Sequence, residues 1–319
     1  MLALLLLALA APTPVPLPGG APGIGFDDLT FAPPLGRLLV PAGRTGDLDL
    51  VDPETLHADP ISGFSNAPKH EGGHDFGVTS ADMGGDLVFA TDRTSRELVV
   101  VDPRSRRIAA RAPLGAEPDY VRFVPPASVW VTEPEAERIE IFSLGSRGAT
   151  PVRAGAIRVP GGPESLVVDA AAGRAYANLW HGATVAIDLA HGRVVERWPS
   201  GCDKPRGLAL DRAARLLLVG CAEGRVSAID ARTGRLLASV AAPEGIDIVA
   251  FDPSRRHLYA PGGRAERFAT FGVGRDGKLE PLRSEPAPRG AHCVATDGRG
   301  HAFVCDPTGG RLWRYDDPR

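Results

Sequence analysis

The chain lacks a surplus of either charge: 36 basic and 39 acidic residues leave a formal net charge of -3, with no long basic run. Nucleic acid is thereby excluded as an expected partner, because such binding needs a concentrated positive surface. No glycine loop joins a strand to a helix with the Lys or acidic residue that phosphate binding requires, and no strand-to-helix elbow surrounds Ser165. Nucleotide-binding and serine-hydrolase scaffolds fall away with them. His70-Glu71-Gly72-Gly73-His74 spells the H-E-x-x-H metalloprotease pattern, but its paired glycines disfavour the helix that would aim both imidazoles at one ion. Long apolar runs are missing too. Met1 to Ala11 is too short to span a bilayer and reads as a secretory signal, although no basic residue precedes it; residues 12–319 are then expected to form one domain.

What the chain has in quantity is turn formers, 38 Gly and 30 Pro, around short aliphatic runs. These runs repeat. Glu164 to Asp169 with Arg174 to Trp180, Arg206 to Asp211 with Leu216 to Cys221, and His292 to Asp297 with His301 to Asp306 each read as strand, polar turn, strand. A third strand ending in Asp follows at Asp188, Asp230 and Asp316, and the same ending occurs at Asp52 and Asp102. A more polar fourth strand comes next, as at Arg235 to Val240. Four short strands whose inner members are aliphatic and whose outer member is polar make a propeller blade. First-strand starts fall near Asp27, Asp75, Asp119, Glu164, Arg206, Asp247 and His292, at intervals of 41 to 48 residues. This predicts an all-β, seven-bladed β-propeller. The last unit runs out after its third strand, and Val15 to Gly20 resembles the outer-strand segment Ile157 to Gly162. The N-terminal strand is therefore expected to complete the C-terminal blade and close the ring.

Four cysteines in an exported chain predict two disulfides. In the repeat frame Cys202 and Cys221 share one blade edge, and Cys293 lies opposite Cys305, so these two pairings are expected. His292 is expected to point away from Cys293, as adjacent strand residues do.

Segments such as Arg206-Gly207-Leu208-Ala209-Leu210-Asp211, Leu216-Leu217-Leu218-Val219-Gly220-Cys221, Val226-Ser227-Ala228-Ile229-Asp230 and Thr233-Gly234-Arg235 resemble the YncE-like, YVTN-repeat β-propeller family. The resemblance covers essentially the whole chain after the signal. It implies an exported bacterial propeller with a generic binding role. The usual second-strand sequence is replaced here, for example by Phe89-Ala90-Thr91-Asp92 and Trp130-Val131-Thr132-Glu133, so the family's ligands do not transfer.

In a propeller the first-strand starts line one end of the channel. Asp27, Asp75, Asp119, Glu164, Arg206, Asp247 and His292 are expected to converge there, with Asp92, Glu133 and Asp306 from second-strand ends, Trp180 and His181 beside them, and His74 from the long Gly63 to Asp75 loop. Arg93, Arg122, Arg138 and Arg206 are available to neutralise some of these acids. Crowded carboxylates favour a cation, either an organic one or a metal held by Asp75, Asp119, Glu164, Asp247 and His292. Calcium suits the oxygens and zinc the imidazoles; no other cofactor is called for. The leading reading is a monomeric periplasmic or extracellular binding module for a small cationic ligand, a peptide or an envelope protein. A metal-dependent lactonase-like hydrolase and a structural envelope scaffold are the alternatives.

Overall fold

The computed structural model describes residues 11–317; the signal segment expected over residues 1–11 lies almost wholly outside them. Seven four-stranded antiparallel sheets follow one another along the chain. Their innermost strands are Thr30–Ala32, Val78–Gly84, Val121–Val124, Val167–Asp169, Pro205–Asp211, Ala250–Asp252 and Val294–Thr296. Each touches the next, and the last touches the first, so the sheets form a ring. This is a seven-bladed β-propeller.

Burial explains the order of strands within a blade. In the fifth blade the second strand, Leu216–Cys221, is buried along its whole length, while the outermost, Leu236–Ala241, has exposed ends and no buried residue. A strand between two others and two neighbouring blades must be apolar on both faces, whereas the outer edge can alternate. The cores between blades are accordingly built from Leu, Val, Ile and Ala, with Tyr259, Phe26, Phe89, Phe142, Phe268, Phe271 and Phe303 among the large fully buried pieces.

The ring closes as expected. Thr13–Pro16 pairs antiparallel with Arg311–Asp316, Val15 standing opposite Leu312, and supplies the outer strand of the seventh blade. Val15 is fully buried and Leu17 nearly so. Just beyond, the chain passes so close to Gly310 that a Cβ on Gly20 would lie 2.0 Å from the Gly310 carbonyl oxygen, and one on Gly310, where φ is 58°, would lie 1.9 Å from that of Gly20. Only glycine fits at either place. Arg44 clasps this segment from inside. Its buried guanidinium donates to the carbonyls of Gly19 (2.9 Å), Gly20 (3.1 Å) and Gly23 (2.6 Å), and at 3.5 Å to that of Ala67 in the long loop after the first blade.

Two expectations need correction. In six blades the inner strand begins two or three residues after the residue read as its start, and in the fifth one residue before it, at Pro205. The intervening residues use their backbone groups between blades: Asp28 donates to Thr79 (3.1 Å), and Asp247 and Ile248 both donate to the His292 carbonyl (3.2 and 2.9 Å). The second correction concerns the thiols. Cys202 and Cys221 are bonded, whereas Cys293 and Cys305 are free and buried. The Cys305 sulfur accepts the Cys293 backbone amide at 3.2 Å, and the two side chains meet as free thiols. One disulfide is compatible with an oxidising compartment. Among the described residues no helix is long and apolar enough to cross a membrane.

Candidate functional site

The late start of the inner strands leaves the predicted residues on an irregular rim at one end of the channel. Arg93, from the turn after Leu87–Asp92, anchors one side of it. Its Nη1 stands 3.5 Å from Asp27, 3.5 Å from Asp119 and 3.6 Å from Asp75, while Nε lies 2.7 Å from Glu117. Across the opening Arg206 lies 3.2 Å from Glu164, whose other carboxylate oxygen accepts the Trp180 indole N–H. Trp180 thus serves Glu164, and His181 is exposed on the adjoining turn.

His74 is the central cation. Its Nδ1 is 3.4 Å from Asp27 and 3.9 Å from Asp75, and its Nε2 is 3.9 Å from Asp247. The charge of Asp27, joined by Asp247 and Asp75, lifts its pKa to about 10 against the opposing effect of burial. The loop that delivers it is no protease helix, since Gly72 and Gly73 take φ values of 95° and 70°. His292 lies beside it, the ring centroids 5.3 Å apart.

Even with these cations the rim is short of positive charge. Burial, then the charge of Asp247, raises Glu164 to about 7, with Arg206 opposing. Burial, followed by Asp27 and Glu164, pushes Asp119 well above the usual carboxylate range. Asp247 is the least committed acid. Its side chain is 19% exposed, its closest cation is His74 at 3.9 Å, and it accepts no hydrogen bond among the described residues. The structure therefore gathers Asp27, Asp75, Asp119, Glu164, Arg206, Asp247, His292 and His74 around one opening.

Asp92, Glu133 and Asp306 do not join them as free acids. Asp92 accepts the amides of Ser65 (2.7 Å) and Ser95 (3.1 Å). Glu133 accepts the Ala116 amide at 2.9 Å and pairs with Arg138. Asp306 accepts Gly309 N–H (2.9 Å), Arg311 Nε (2.9 Å) and the Trp313 indole (3.0 Å). Donors offset the cost of burying a carboxylate, and for these three turn amides are the nearest. Arg122, expected as a neutraliser, makes a two-pronged pair with Asp28 at 2.6 and 3.0 Å, below the rim.

The five residues expected to share a metal do not form one ligand set. The rim atoms that converge within 4.8 Å of one another belong to His74, Asp247 and His292. A second convergent set, His292 with Cys293 and Cys305, was missed because adjacent residues were expected to point apart. That rule fails here because the pleat begins only at Val294. Burial raises the Cys293 thiol well above its ordinary value. At Cys305 burial also raises, but the Cys293 thiol and amide and the His292 charge outweigh it and bring the thiol down to about 6. Next to this set opens a cavity of about 830 Å³, walled by His74, His292, Pro288, Pro307, Trp313 and Tyr315. Trp313 carried no sequence signal distinguishing it from a packing aromatic.

No family model matches the chain, and no curated protein matches it. Solved structures do. The chain is similar to Kuenenia stuttgartiensis hydrazine synthase (15% identity over 92% of this chain and 96% of that one, TM-score 0.73). It is also similar to the β-propeller domain of Myceliophteria thermophila Cps50 (Swd1) at 14% identity, 93% and 98% coverage and a TM-score of 0.74. A chain of a Mitotic Checkpoint Complex aligns at 11% identity, 98% and 96% coverage and a TM-score of 0.77. At such identities the likeness establishes the propeller fold and nothing about a ligand.

Proposed function

We propose that the chain is an extracytoplasmic binding module of the YncE-like kind, a single-domain monomer whose acidic rim receives a cationic group on a peptide or protein partner. The observation that carries this reading is Asp247, a half-buried carboxylate without a hydrogen-bond donor, set among Glu164, Asp119 and Asp27. An ammonium or guanidinium entering there gains charge-assisted bonds and relieves the repulsion from Asp247 that adds to burial in raising Glu164. The apolar cavity beside His74 offers a surface for the neighbouring side chains of such a guest. The checkpoint assembly, in which a similar chain sits among other proteins, suits a protein-binding role.

The pH dependence has a definite sign. A bound cation favours the ionised Glu164, so affinity is expected to rise as pH passes upward through about 7 and to level off above it. Calorimetry with arginine amide and with a short arginine-ended peptide, at pH 6 and pH 8, measures this. Asp247→Asn is expected to weaken binding by about tenfold or more. Equal affinity in the wild type and Asp247→Asn, or binding that is tighter at pH 6, defeats the reading.

A further inference from the structure

At the rim the His292 imidazole also meets two buried sulfurs that the cation-binding reading does not use. We propose that His292, Cys293 and Cys305 form a closed site for a single thiophilic d10 metal ion, Cu(I) or Zn(II). Their three ligand atoms lie within 4.8 Å of one another. An ion bound at about 2.0 Å to nitrogen and about 2.3 Å to sulfur holds neighbouring ligands roughly 3.3–4 Å apart, so side-chain rotations close the remaining gap. Two thiolates and an imidazole are a soft donor set, which discriminates against calcium and magnesium.

The surroundings fit a held ion. Both sulfurs have no solvent exposure, so three ligands suffice for a trigonal Cu(I), whereas a tetrahedral Zn(II) would take its fourth ligand from the cavity side of His292. The His292 carbonyl is fixed by the amides of Asp247 and Ile248, which locks the backbone from which two of the ligands project. Each ring nitrogen also faces a carbonyl, Nδ1 that of Gly290 at 2.5 Å and Nε2 that of Phe26 at 2.9 Å, so ligation gives up one of these contacts. When one nitrogen exchanges its proton for the metal, the other keeps its carbonyl, the usual way a ligating histidine is oriented. His292 also lines the 830 Å³ cavity, which provides a route in from solvent. The proposal stands apart from cation binding at Asp247, and either can fail alone.

The test uses the chain purified anaerobically with reductant. Cu(I) is offered from a bicinchoninate complex, and Zn(II) is followed through Co(II), whose thiolate charge-transfer bands report sulfur ligation. One ion per chain is expected, with the preferred metal being the one retained against chelator. Cys293→Ser and Cys305→Ser should each lower affinity by more than the roughly 10–100-fold typical of losing an outer-shell partner. X-ray absorption on the wild-type complex should show two sulfurs and one nitrogen, which keeps the proposal testable if a serine variant misfolds. Failure to take up either ion overturns it. So does recovery of an intact Cys293–Cys305 bridge from protein alkylated at cell lysis.

Discussion

A chain that begins at Ala21 is expected not to hold the ring closed, whereas one that begins at Ala11 should fold fully. The removed segment buries Val15 and Leu17, each contributing about 1.5–3 kcal/mol. Its loss also takes two of the four carbonyls that satisfy Arg44, leaving those of Gly23 and Ala67, at a cost that rises toward the roughly 3–5 kcal/mol of a buried charge left unpaired. Together these approach the whole stability of an ordinary domain, about 5–15 kcal/mol. The strand Arg311–Asp316 would in addition become an open edge, ready to pair with other chains. Thermal melting followed by circular dichroism, with size-exclusion chromatography, reads both effects. A peptide of residues 11–20 added in trans should restore part of the lost stability. A truncated chain that stays monomeric and melts within a few degrees of the longer one refutes this account of closure.

Replacing Asp49 with valine should have the opposite effect and strengthen the fold. Asp49 sits in the third strand of the first blade, Asp47–Val51, with no solvent exposure and no hydrogen-bond partner for either carboxylate oxygen. Burial, with a smaller contribution from the Asp47 charge, raises its pKa to about 8. The folded value lies above the unfolded one, so the native state binds the proton more tightly. Stability from this group is complete below about pH 4 and is lost as pH rises toward 8, at up to about 1.4 kcal/mol per unit. Glu164 adds a loss of the same sign up to about pH 7. Valine suits a buried strand and carries no charge, so Asp49→Val is expected to gain about 2–4 kcal/mol at pH 8 and much less at pH 5. Denaturant unfolding at the two pH values measures the difference. A gain that is equal at both, or a loss at both, shows that something other than the carboxyl proton governs the site.

Much of the architecture was legible because a blade imposes a rhythm: inner strands must be aliphatic, turns need Gly, Asn or Asp, and near-constant spacing follows. Even closure could be read, since Val15 to Gly20 carries the pattern of an outer strand that the seventh blade lacks. The same rhythm placed Cys202 against Cys221. What it could not show is where a side chain turns once the pleat ends. Asp92, Glu133 and Asp306 look like rim acids by position, yet each finds turn amides within reach and is consumed by them. His292 and Cys293 were separated by a strand rule that does not apply before Val294. Arg44 was invisible for another reason. Its acceptors are backbone carbonyls, and a carbonyl leaves no mark in a sequence.

That guanidinium joins two things that are remote along the chain, the seam of the ring and the loop that carries His70 and His74. Its bonds to Gly19, Gly20 and Gly23 belong to the seam, and its bond to Ala67 to the loop. Linkage between the two must then run in both directions. Through Arg44, order in the loop at Ala67 and order in the terminal segment at Gly19 and Gly20 support each other, and fraying of either one weakens the other.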